Sequence, residues 1–566
     1  MDTVPAIAFL FILVICLSLH VHAICQPRDL TVVKGWNISS DKIYVACHNT
    51  TGRIVSLHIT NTTFFSAIPQ PICKFSMLTH LEIVSSHLSG PIPTCLGTLS
   101  NLIHLNLSNN KLSGKIPATL WKLKNLQILD LSSNELNGLG INNMDLSNQT
   151  SLKSLQLYRN HFNASIPPTI GSIASLTDLN LSSALFQGPI PHTLWNLSAL
   201  QRIHLNYNNL TGAIPSCFSM LSNLVVLNLN RNHLNGVLPP SLGRLQSLEL
   251  LDVSTNNIRG EIPTSFENIF SIRKILLYHN KLDGEVPSYF EKLPRLEQLL
   301  LSENRLSGGI PVQIANCRKL KLLDLSSNNI SAQIPPEIGT MSELVNLNLM
   351  DNNIQGELPP SVGNCIKLEI LSVANNNISG NIPSTLGNLK SLKILLLHYN
   401  KFIASIPTSL ATCKSLRMMD LSSNGFTGEF PSWVCGLEDL LLLNLGNNHF
   451  NGYIEGSFST LKKLQVLDLS NNAFTGSIIN VIDLPYMKTL KPSKANLYRI
   501  NRAPNLITFQ NEMFNDIFFT VDFTLIAKGS SQQYEYVRSD LTLISLAWNN
   551  FTSEVPKELG SLEGLR

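Results

Sequence analysis

The side chains in this chain whose types and spacing suggest chemistry are large aromatic and charged groups at one recurring position and on the strand before it. Most copies of a repeated motif carry Ser-Ser or Ser-Asn at that position, whereas several carry tyrosine, arginine or histidine. Tyrosine and arginine often supply the binding energy of protein interfaces, so the chemistry they indicate is recognition. The candidate ligand-binding residues are Tyr158, Arg159, Arg202, His204, Tyr207, Arg231, Arg273, Tyr278, His279, Glu303, Asp351, His398 and Tyr399. The alternative is ordinary solvated variation on a tolerant surface.

Catalytic and metal-binding patterns are missing from the sequence. It has no phosphate-binding loop, no HExxH, GxSxG or protein-kinase signature, and no cysteines at metal-ligand spacing. Charged residues make up 14% of the chain, the net charge is +3, and no run of five basic residues occurs, which argues against nucleic-acid binding. We therefore predict a binding protein that is not an enzyme and needs no cofactor.

The elements that position the candidate residues come from a repeat of 24 residues, LxxLxLxxNxLxGxIPxxLGxLxx. Its first leucine-type position recurs fourteen times in unbroken register, from Leu152 to Leu464. Further copies start at Ile54, Leu78, Leu102, Leu126 and Leu541. A fixed period in this range with this pattern is typical of a leucine-rich-repeat solenoid, whose stacked units share one continuous core.

One copy shows how each unit is expected to fold. In the copy that starts at Leu320, the side chains of Leu320, Leu323 and Leu325 point inward, and alternate residues of a short strand face solvent. Asn328 follows the strand, where its amide can bond backbone groups of neighbouring coils and extend as a ladder. The predicted fold class is an α/β solenoid, a superhelix with a parallel β-sheet on the concave face and short helical turns on the convex side.

Residues 1–23 are predicted to be a secretory signal peptide. The stretch Val4–Leu19 is almost entirely apolar, and Ala23 offers the small residue that signal peptidase prefers at its cut. The alternative is a signal anchor that stays in the membrane, because no Lys or Arg precedes the apolar run. The run is short for a membrane span and small residues follow it, which favours cleavage.

N-x-S/T sequons fit a secreted chain, since they are acceptors for N-glycosylation. Two of the twelve, at Asn106 and Asn180, fall on strands of the expected concave face, where a glycan would obstruct binding. The candidate glycosylation sites are therefore Asn37, Asn49, Asn61, Asn148, Asn163, Asn196, Asn209, Asn329, Asn377 and Asn550. Because the repeat itself supplies Asn and Ser in close order, some of these matches are expected to be accidents of composition.

The cysteines do not form a disulfide framework that spacing alone can resolve. Two pairs lie in adjacent coils and could bridge, namely Cys73 with Cys95 and Cys413 with Cys435. Cys317, Cys365 and Cys413 share one position in repeats two apart, which places them roughly 10 Å from one another. That separation exceeds disulfide reach, so these three are expected to be buried thiols.

The rhythm breaks near the end of the chain. The predicted domains are 24–53, a degenerate N-terminal cap; 54–484, the repeats; 485–536, an island insertion; and 537–566, a resumed and truncated repeat. The island is richer in aromatic and basic residues, and Phe519, Val521, Phe523 and Leu525 alternate as in a strand packed on the solenoid. A disordered linker is the alternative, but this stretch is too apolar for one.

The chain resembles the plant receptor-like proteins, cell-surface receptors with an extracellular leucine-rich-repeat domain. The resemblance rests on the IPxxLGxL form of the repeat over about 480 residues and on the island placed before the last repeats. In that family the island carries Tyr, eight residues, then Lys-Gly, and here Phe519 stands eight residues before Lys528-Gly529. The resemblance implies a plant-type repeat superhelix, and a cap in which Cys47 has only Cys25 as a possible partner.

The resemblance also implies a function. These receptors recognise extracellular molecules at the plasma membrane in defence or development, bind them on the concave face and island, and signal through a partner receptor kinase. We therefore expect a peptide, protein or glycan ligand, with Phe519, Lys528 and Gly529 as island candidates that alternatively fix the island's fold. The alternatives are a secreted binding protein resembling the polygalacturonase inhibitors, and a non-functional fragment. Because the chain stops at Arg566 inside a repeat, a membrane span is expected only in a longer form.

Overall fold

A computed structural model of the chain describes residues 25–34, 42–62, 67–141, 144–217, 220–454, 458–476, 523–527, 530–534, 543–545 and 549–551. The chain forms two compact units, Met1–Leu282 and Asp283–Arg566, and each is described by itself. The predicted signal peptide, Asn37, Phe519, Lys528 and Gly529 lie outside the described residues.

The first helix in the described part of the first unit is Pro27–Lys34, and the described strands of this unit are built around one main sheet. Strand Ile43–Cys47 pairs antiparallel with Ile54–Thr60, and every later pairing in this sheet is parallel among the described strands. Each strand pairs with the strand one repeat away, as Leu227 pairs with Leu251. The parallel strands are Ile54–Thr60, His80–Val84, His104–Asn106, Ile128–Asp130, Ser154–Gln156, Asp178–Asn180, Arg202–His204, Val226–Asn228, Leu250–Asp252 and Lys274–Leu276.

Shorter strands and turns complete each coil of the first unit. The second row of strands comprises Ser89–Pro91, Lys111–Lys115, Glu135–Gly138, Gln187–Pro189, Asn209–Ala213, His233–Asn235, Arg259–Gly260 and Lys281–Leu282. The 3-10 turns comprise Gln70–Lys74, Thr94–Thr98, Leu120–Lys122, Pro168–Ser172, His192–Asn196, Pro240–Arg244 and Thr264–Asn268. Proline precedes most of these turns with φ near −65°, as at Pro191, because its ring fixes that angle.

The second unit repeats the same plan. Its main-sheet strands are Gln298–Leu300, Leu322–Asp324, Asn346–Asn348, Ile370–Ser372, Ile394–Leu396, Met418–Asp420, Leu442–Asn444, Val466–Asp468 and Leu543–Ser545. The last pairing skips the island in sequence: Leu467 pairs with Ile544 in the way that Leu443 pairs with Leu467. The repeat therefore resumes in register after the insertion.

The rest of the second unit follows the first. Its second row comprises Gln355–Glu357, Asn377–Gly380, Lys401–Ala404, Gly425–Glu429, His449–Tyr453, Ala473–Gly476 and Asn550–Phe551. Its 3-10 turns comprise Ser288–Lys292, Val312–Asn316, Pro336–Thr340, Pro360–Asn364, Ser384–Asn388, Thr408–Thr412, Ser432–Gly436 and Phe458–Thr460. Within the island, Phe523–Ala527 and Ser530–Tyr534 form an antiparallel hairpin.

The core consists of the repeated aliphatic positions and, in the second unit, a stack of phenylalanines. Leu320, Leu323 and Leu325 are fully buried, as the repeat predicts. The rings of Phe402 and Phe426 stack with centroids 5.9 Å apart and nearly parallel planes, and two further phenylalanines continue the column. Such repeated burial stabilises each coil only through its neighbours.

The predicted asparagine ladder is confirmed. Asn328 Nδ2 donates to the carbonyl oxygens of Leu301 and Leu325 at 3.0 and 3.1 Å, while its Oδ1 accepts from the N–H of Leu306 at 2.9 Å. Where the ladder position is alanine, at Ala184, its N–H donates to Oδ1 of Asn208 in the next coil. One amide thus bridges neighbouring coils, and a missing asparagine is partly covered by the one that follows.

The structure shows which of the cysteine pairs left open by the sequence are disulfide-bonded. Cys25–Cys47 and Cys73–Cys95 are disulfide-bonded, whereas Cys413 and Cys435 are separate buried thiols. The predicted buried thiols are confirmed, and each donates to a carbonyl of the preceding coil, as Cys365 Sγ does to Ile338 at 3.3 Å. Burial raises the pKa of Cys365 to about 11, so it stays a neutral core group.

The predicted solenoid fold, with a parallel sheet and short turns in each coil, is confirmed in both units. The domain boundaries placed from the sequence stay predictions. No helix among the described residues is long and apolar enough to cross a membrane.

Candidate ligand-recognition surface

Three positions in each coil project from the outward face of the main sheet. Two are strand residues, such as Arg202 and His204, which alternate with the buried Ile203 and Leu205. The third lies in the turn directly before the ladder position, where Tyr207 precedes Asn208. Because each coil pairs in register with the next, equivalent side chains of successive coils line up in rows, with about 4.8 Å between neighbours in a row.

The turn position has an unusual backbone. In every described coil from Ser85 to Asn471 it has a φ between 50° and 55°, the left-handed region. This conformation costs an ordinary residue roughly 1–2 kcal/mol, and asparagine is among the residues that tolerate it best. Most coils place serine or asparagine there, but seven of the candidates occupy it with larger groups, namely Arg159, Tyr207, Arg231, His279, Glu303, Asp351 and Tyr399.

The best-defined pair on this surface is Tyr207 with Arg231 in the next coil. The Arg231 guanidinium carbon lies 5.0 Å from the centre of the Tyr207 ring, which is cation–π distance. Tyr207 is 48% exposed and Arg231 is also exposed, so the pair presents both an aromatic face and a positive charge to solvent. This is the composition of a binding hot spot.

A polar row runs beside that pair. Arg202 Nε donates to Oδ2 of Asp178 at 2.6 Å, and Oδ1 of Asp178 accepts from Nε2 of Gln156 at 3.0 Å. Burial lowers the pKa of His204, an effect that Asp178 opposes and Arg202 reinforces. His204 is therefore a neutral donor and acceptor near neutral pH, beside a guanidinium fixed in place.

The remaining candidates of the first unit differ in accessibility. Tyr158 and Tyr278 are half-buried, whereas Arg159, Arg273 and His279 are exposed. Burial raises the pKa of the Tyr278 phenol, although a hydrogen bond with Ser254 opposes the shift. Arg159 and His279 occupy the left-handed turn position, Tyr158 and Tyr278 directly precede it, and Arg273 directly precedes the strand Lys274–Leu276.

The candidates of the second unit lie in a different setting. Glu303 is exposed, and the half-exposed Asp351 accepts from Ser327 Oγ at 3.3 Å and from Asn375 Nδ2 at 2.5 Å. Tyr399 is 44% exposed. His398 is only 4% exposed, with Nδ1 3.7 Å from Oδ2 of Asp420, so the expectation that it faces a ligand does not match its burial.

Several outward strand positions of the second unit are apolar and buried, a feature that our sequence interpretation missed, whereas others, such as Asn346 and Asp420, are buried and polar. Ile394, Leu396, Met418, Leu442 and Val466 are among the apolar residues at these positions and are at most 4% exposed. The signal was present in the sequence, because solvent-facing strand positions usually carry polar residues and these five are apolar. The outward strand positions of the first unit that hold Arg202 and His204 are more exposed than these five.

The repeat pattern matches an established family. Sequence models described as leucine rich repeat match residues 76–136, 198–258, 270–330, 366–426 and 414–474, and a second model of that description matches residues 343–365. Together they cover more than half of the chain. The chain belongs to the leucine-rich-repeat family. A comparison with curated proteins found no match.

Among solved structures, this leucine-rich-repeat chain is similar to plant receptor ectodomains. The Arabidopsis receptor kinase HAESA, in complex with the peptide hormone IDA and the co-receptor SERK1, is 28% identical, with 81% of this chain and 88% of that one covered and a TM-score of 0.67. The plant peptide hormone receptor RGFR1, in complex with RGF2, is 28% identical, with coverages of 78% and 85% and a TM-score of 0.64.

A third neighbour is longer than this chain. The ectodomain of the receptor kinase GASSHO1/SCHENGEN3 from Arabidopsis thaliana, in complex with CASPARIAN STRIP INTEGRITY FACTOR 2, is 30% identical, with a TM-score of 0.59. The match covers 81% of this chain but only 64% of that one. The resemblance to plant leucine-rich-repeat receptors that the sequence indicated is confirmed by these neighbours.

The sequons of this leucine-rich-repeat chain fall into two groups. Asn106 Oδ1 accepts from the N–H of Ser108, and Asn180 Oδ1 accepts from the N–H and hydroxyl of Ser182, so both amides are engaged in the turn after their strand. The candidate sites whose side chains are described as exposed are Asn49, Asn61, Asn148, Asn163, Asn196, Asn209, Asn329 and Asn377. The side chain of Asn550 lies outside the described part, and glycosylation of all ten candidates stays a prediction.

No group of three or more His, Cys, Asp or Glu is placed to hold a metal ion in the part of the chain that the structure describes. What this surface offers is rows of aromatic rings, guanidinium groups and imidazoles with local partners. Such rows can recognise a ligand by shape, charge and hydrogen bonding.

Proposed function

We propose that this chain is the extracellular ligand-recognition domain of a plant cell-surface receptor, and that it binds an extracellular peptide on the outward face of its first unit. The proposed contact surface, the polar track, comprises Tyr158, Arg159, Arg202, His204, Tyr207, Arg231, Arg273, Tyr278 and His279. Glu303, Asp351 and Tyr399 of the second unit are proposed as secondary contacts.

The observation that carries the proposal is the placement of large side chains at strained turn positions. Arg159, Tyr207, Arg231 and His279 all have φ near +50°, where serine or asparagine stands in other coils of the same unit. The surrounding repeat holds the backbone in this conformation in every described coil, so the feature that points to binding is the exchange of a small side chain for a large one there. The repeat supplies its own comparison, since the same position with the same φ holds serine at Ser133 and Ser183.

A peptide is the ligand class that the surface and the neighbours support best. The HAESA and RGFR1 structures contain the peptide ligands IDA and RGF2. A spacing of about 4.8 Å between coils also suits an extended peptide that is laid across the strands, because such a peptide meets a new coil every one to two residues. The sequence left open a peptide, a protein or a glycan as the ligand, and we propose the peptide.

We extend the proposal to the cellular location of this domain and to its signalling partner. Such a domain acts on the outer side of the plasma membrane, in defence or development, and passes its signal to a leucine-rich-repeat receptor kinase acting as co-receptor. The HAESA complex, which contains the co-receptor SERK1, supports this kind of partner. Phe519, Lys528 and Gly529 of the island are proposed as a further contact region.

A peptide-display selection tests the recognition claim without knowledge of the natural ligand. The secreted chain is presented to a library of random dodecapeptides, and the dissociation constants of the enriched peptides are measured by biolayer interferometry. We expect Tyr207→Ala combined with Arg231→Ala to weaken binding roughly tenfold to a hundredfold, since two adjacent hot-spot side chains are lost.

Tyr453→Ala is the matched control. Tyr453 is 65% exposed but lies on a second-row strand of the other unit, so its loss leaves affinity unchanged. Enriched peptides that bind the Tyr207/Arg231 variant as tightly as the unmodified chain would place recognition elsewhere. Failure of the SERK1 ectodomain to join the peptide-bound chain would overturn the co-receptor part alone.

A further inference from the structure

Three histidines and one glutamate form a cluster at the start of the first unit, away from the polar track. His58, Glu82 and His104 come from three adjacent parallel strands, and His80 lies on the same strand as Glu82. In the register, His58 pairs with Glu82, and His80 pairs with His104. All four are outward positions, so the main sheet holds them in one compact patch, the histidine cluster.

Short contacts connect the cluster. His58 Nδ1 donates to Oε2 of Glu82 at 2.9 Å, and His104 Nδ1 lies 3.4 Å from the other carboxylate oxygen. The rings of His80 and His104 meet edge to face with centroids 5.9 Å apart. The side chains of His58, Glu82 and His104 are 20%, 25% and 22% exposed, so a ligand can reach them.

The hydrogen bonds also fix where a further proton goes. The hydroxyl of Thr79 donates to the carbonyl of Val55 at 2.8 Å, so toward His80 Nδ1, 2.9 Å away, it acts as acceptor. His80 Nδ1 therefore carries its hydrogen, and Nε2 is the atom that gains a proton in acid. His58 uses Nδ1 on Glu82, and its Nε2 lies 2.6 Å from Ser56 Oγ.

The charge of the cluster depends strongly on pH. With neutral imidazoles the four side chains carry a charge of −1, and with three imidazolium groups they carry +2. Burial lowers the pKa values of His80 and His104, and Glu82 opposes the shift, while its hydrogen bond with His58 lowers the pKa of Glu82. The neighbouring strands add the phenol of Tyr44 and the carboxyl of Asp130, whose pKa burial raises.

We propose that the histidine cluster is a binding point for carboxylate side chains of an acidic peptide segment, formed when its imidazoles gain protons in mildly acidic solution. Imidazolium groups beside a half-buried surface attract an anion far more strongly than exposed ones do. No metal-binding arrangement competes for these groups among the described residues. This site goes beyond the proposed function and does not depend on the polar track.

A groove beside the cluster supports a peptide as the bearer of the carboxylates. It has a volume of about 330 Å³ and shares Thr79 with the hydrogen-bond network of His80. Amide side chains form much of its wall, contributed by Asn101, Asn125 and Gln127. Asn101 and Asn125 use Nδ2 on the carbonyls of Ser76 and Ser100, and their Oδ1 atoms can accept from the N–H groups of a peptide. An acidic segment can thus place its backbone in the groove and its carboxylates at the cluster.

The direction of the pH dependence follows from linkage. Because burial lowers the pKa values of His80 and His104, these two imidazoles become cationic only at a lower pH than exposed imidazoles require. An anion favours the protonated imidazoles, so binding takes up protons and affinity rises as pH falls. For one to two protons, we expect hexaglutamate to bind at least about tenfold more tightly near pH 5 than near pH 7.5.

The test is isothermal titration of the full chain with hexaglutamate, using hexaglutamine as the uncharged probe. Repeating the titration in buffers of different ionisation enthalpy counts the protons taken up. His80→Gln with His104→Gln is expected to abolish both the acid-enhanced affinity and most of the proton uptake, and each single variant to remove about half of it. His233→Gln, an exposed histidine on a second-row strand, is the matched control.

The outcomes separate clearly. Unchanged acid enhancement in the double variant, or an equal loss with His233→Gln, overturns the proposal, as does binding of hexaglutamine. Circular dichroism of each variant checks that the fold is retained, and the single variants give the answer should the double variant melt early. Loss of track binding in the Tyr207/Arg231 variant has no bearing on this result.

Discussion

Replacing Tyr207 by asparagine and, separately, by alanine isolates the cost of the strained turn position. Tyr207 has a φ of +55° and its ring lies under the Arg231 guanidinium. Both substitutions remove the ring and that contact equally. Only asparagine also suits the left-handed backbone, so the difference between the two variants reports the conformational term alone.

The expected change in the free energy of unfolding of each Tyr207 variant is the sum of two contributions. Loss of the exposed cation–π contact costs about 0.5–1 kcal/mol in either variant. An ordinary residue in the left-handed region costs roughly 1–2 kcal/mol, of which asparagine recovers a large part. We therefore expect the alanine variant to be less stable than the unmodified chain by about 0.5–1 kcal/mol and the asparagine variant to be roughly equal to it.

Guanidinium chloride unfolding followed by tryptophan fluorescence measures this difference. Trp121 and Trp195 are buried in the same unit as Tyr207, so they report its unfolding. The same two variants are then tested for binding of the display-selected peptides. Both are expected to lose affinity to the same extent, because the ring that contacts the peptide is absent from both.

Equal stability of the two Tyr207 variants would refute the strain argument, and with it the observation that carries the proposed function. Tyr158 provides the control, since it directly precedes a left-handed residue, Arg159, without being one itself. Tyr158→Asn and Tyr158→Ala are expected to show no preference for asparagine. An asparagine advantage of the same size at both positions would mean that the effect is not conformational.

Two further predictions concern stability. Asn232→Ala leaves the N–H of Leu210 without its partner, whereas the carbonyl of Leu205 still accepts from Asn208, so we expect a loss of about 1–3 kcal/mol in the free energy of unfolding, measured by guanidinium chloride unfolding against Asn223→Ala on the exposed side of the coil. Burial raises the pKa of Asp324, so the folded state keeps a proton that the unfolded chain releases, and stability falls as pH rises through that interval. Asp324→Asn is expected to remove this fall and raise the melting temperature at neutral pH but not near pH 4; a gain of equal size at both pH values would contradict it.

The sequence predicts the fold well because the repeat dictates both burial and register. The inward positions of the coil at Leu320 and the bonding of Asn328 follow from period and residue type alone. Resumption of the repeat after the island was also readable, and Leu467 indeed pairs with Ile544. The partners of Cys25 and Cys73 needed coordinates, because adjacency in a coil leaves the direction of a side chain open.

The binding surface was less predictable, because exposure depends on more than the repeat position. His398 and Tyr399 are neighbours in sequence, yet one is buried and the other is 44% exposed. The sequence interpretation concentrated on tyrosine and arginine, and it therefore missed the apolar outward residues of the second unit, such as Met418. The histidine cluster was equally visible in principle, since His80 and His104 are separated by one repeat.

The two units therefore present different chemistry on equivalent positions. In the first unit, outward groups such as Arg202 are polar, partnered and accessible, whereas in the second unit groups such as Leu442 are apolar and closed to solvent. A polar ligand gains contacts only where donors and charges remain open, so we expect recognition by side chains to concentrate in the first unit. Because every coil of that unit shares one backbone geometry at the turn, we expect that exchanging serine for a larger residue there alters ligand preference while the fold is retained. That separation of scaffold from specificity explains how a chain so regular can carry a selective surface.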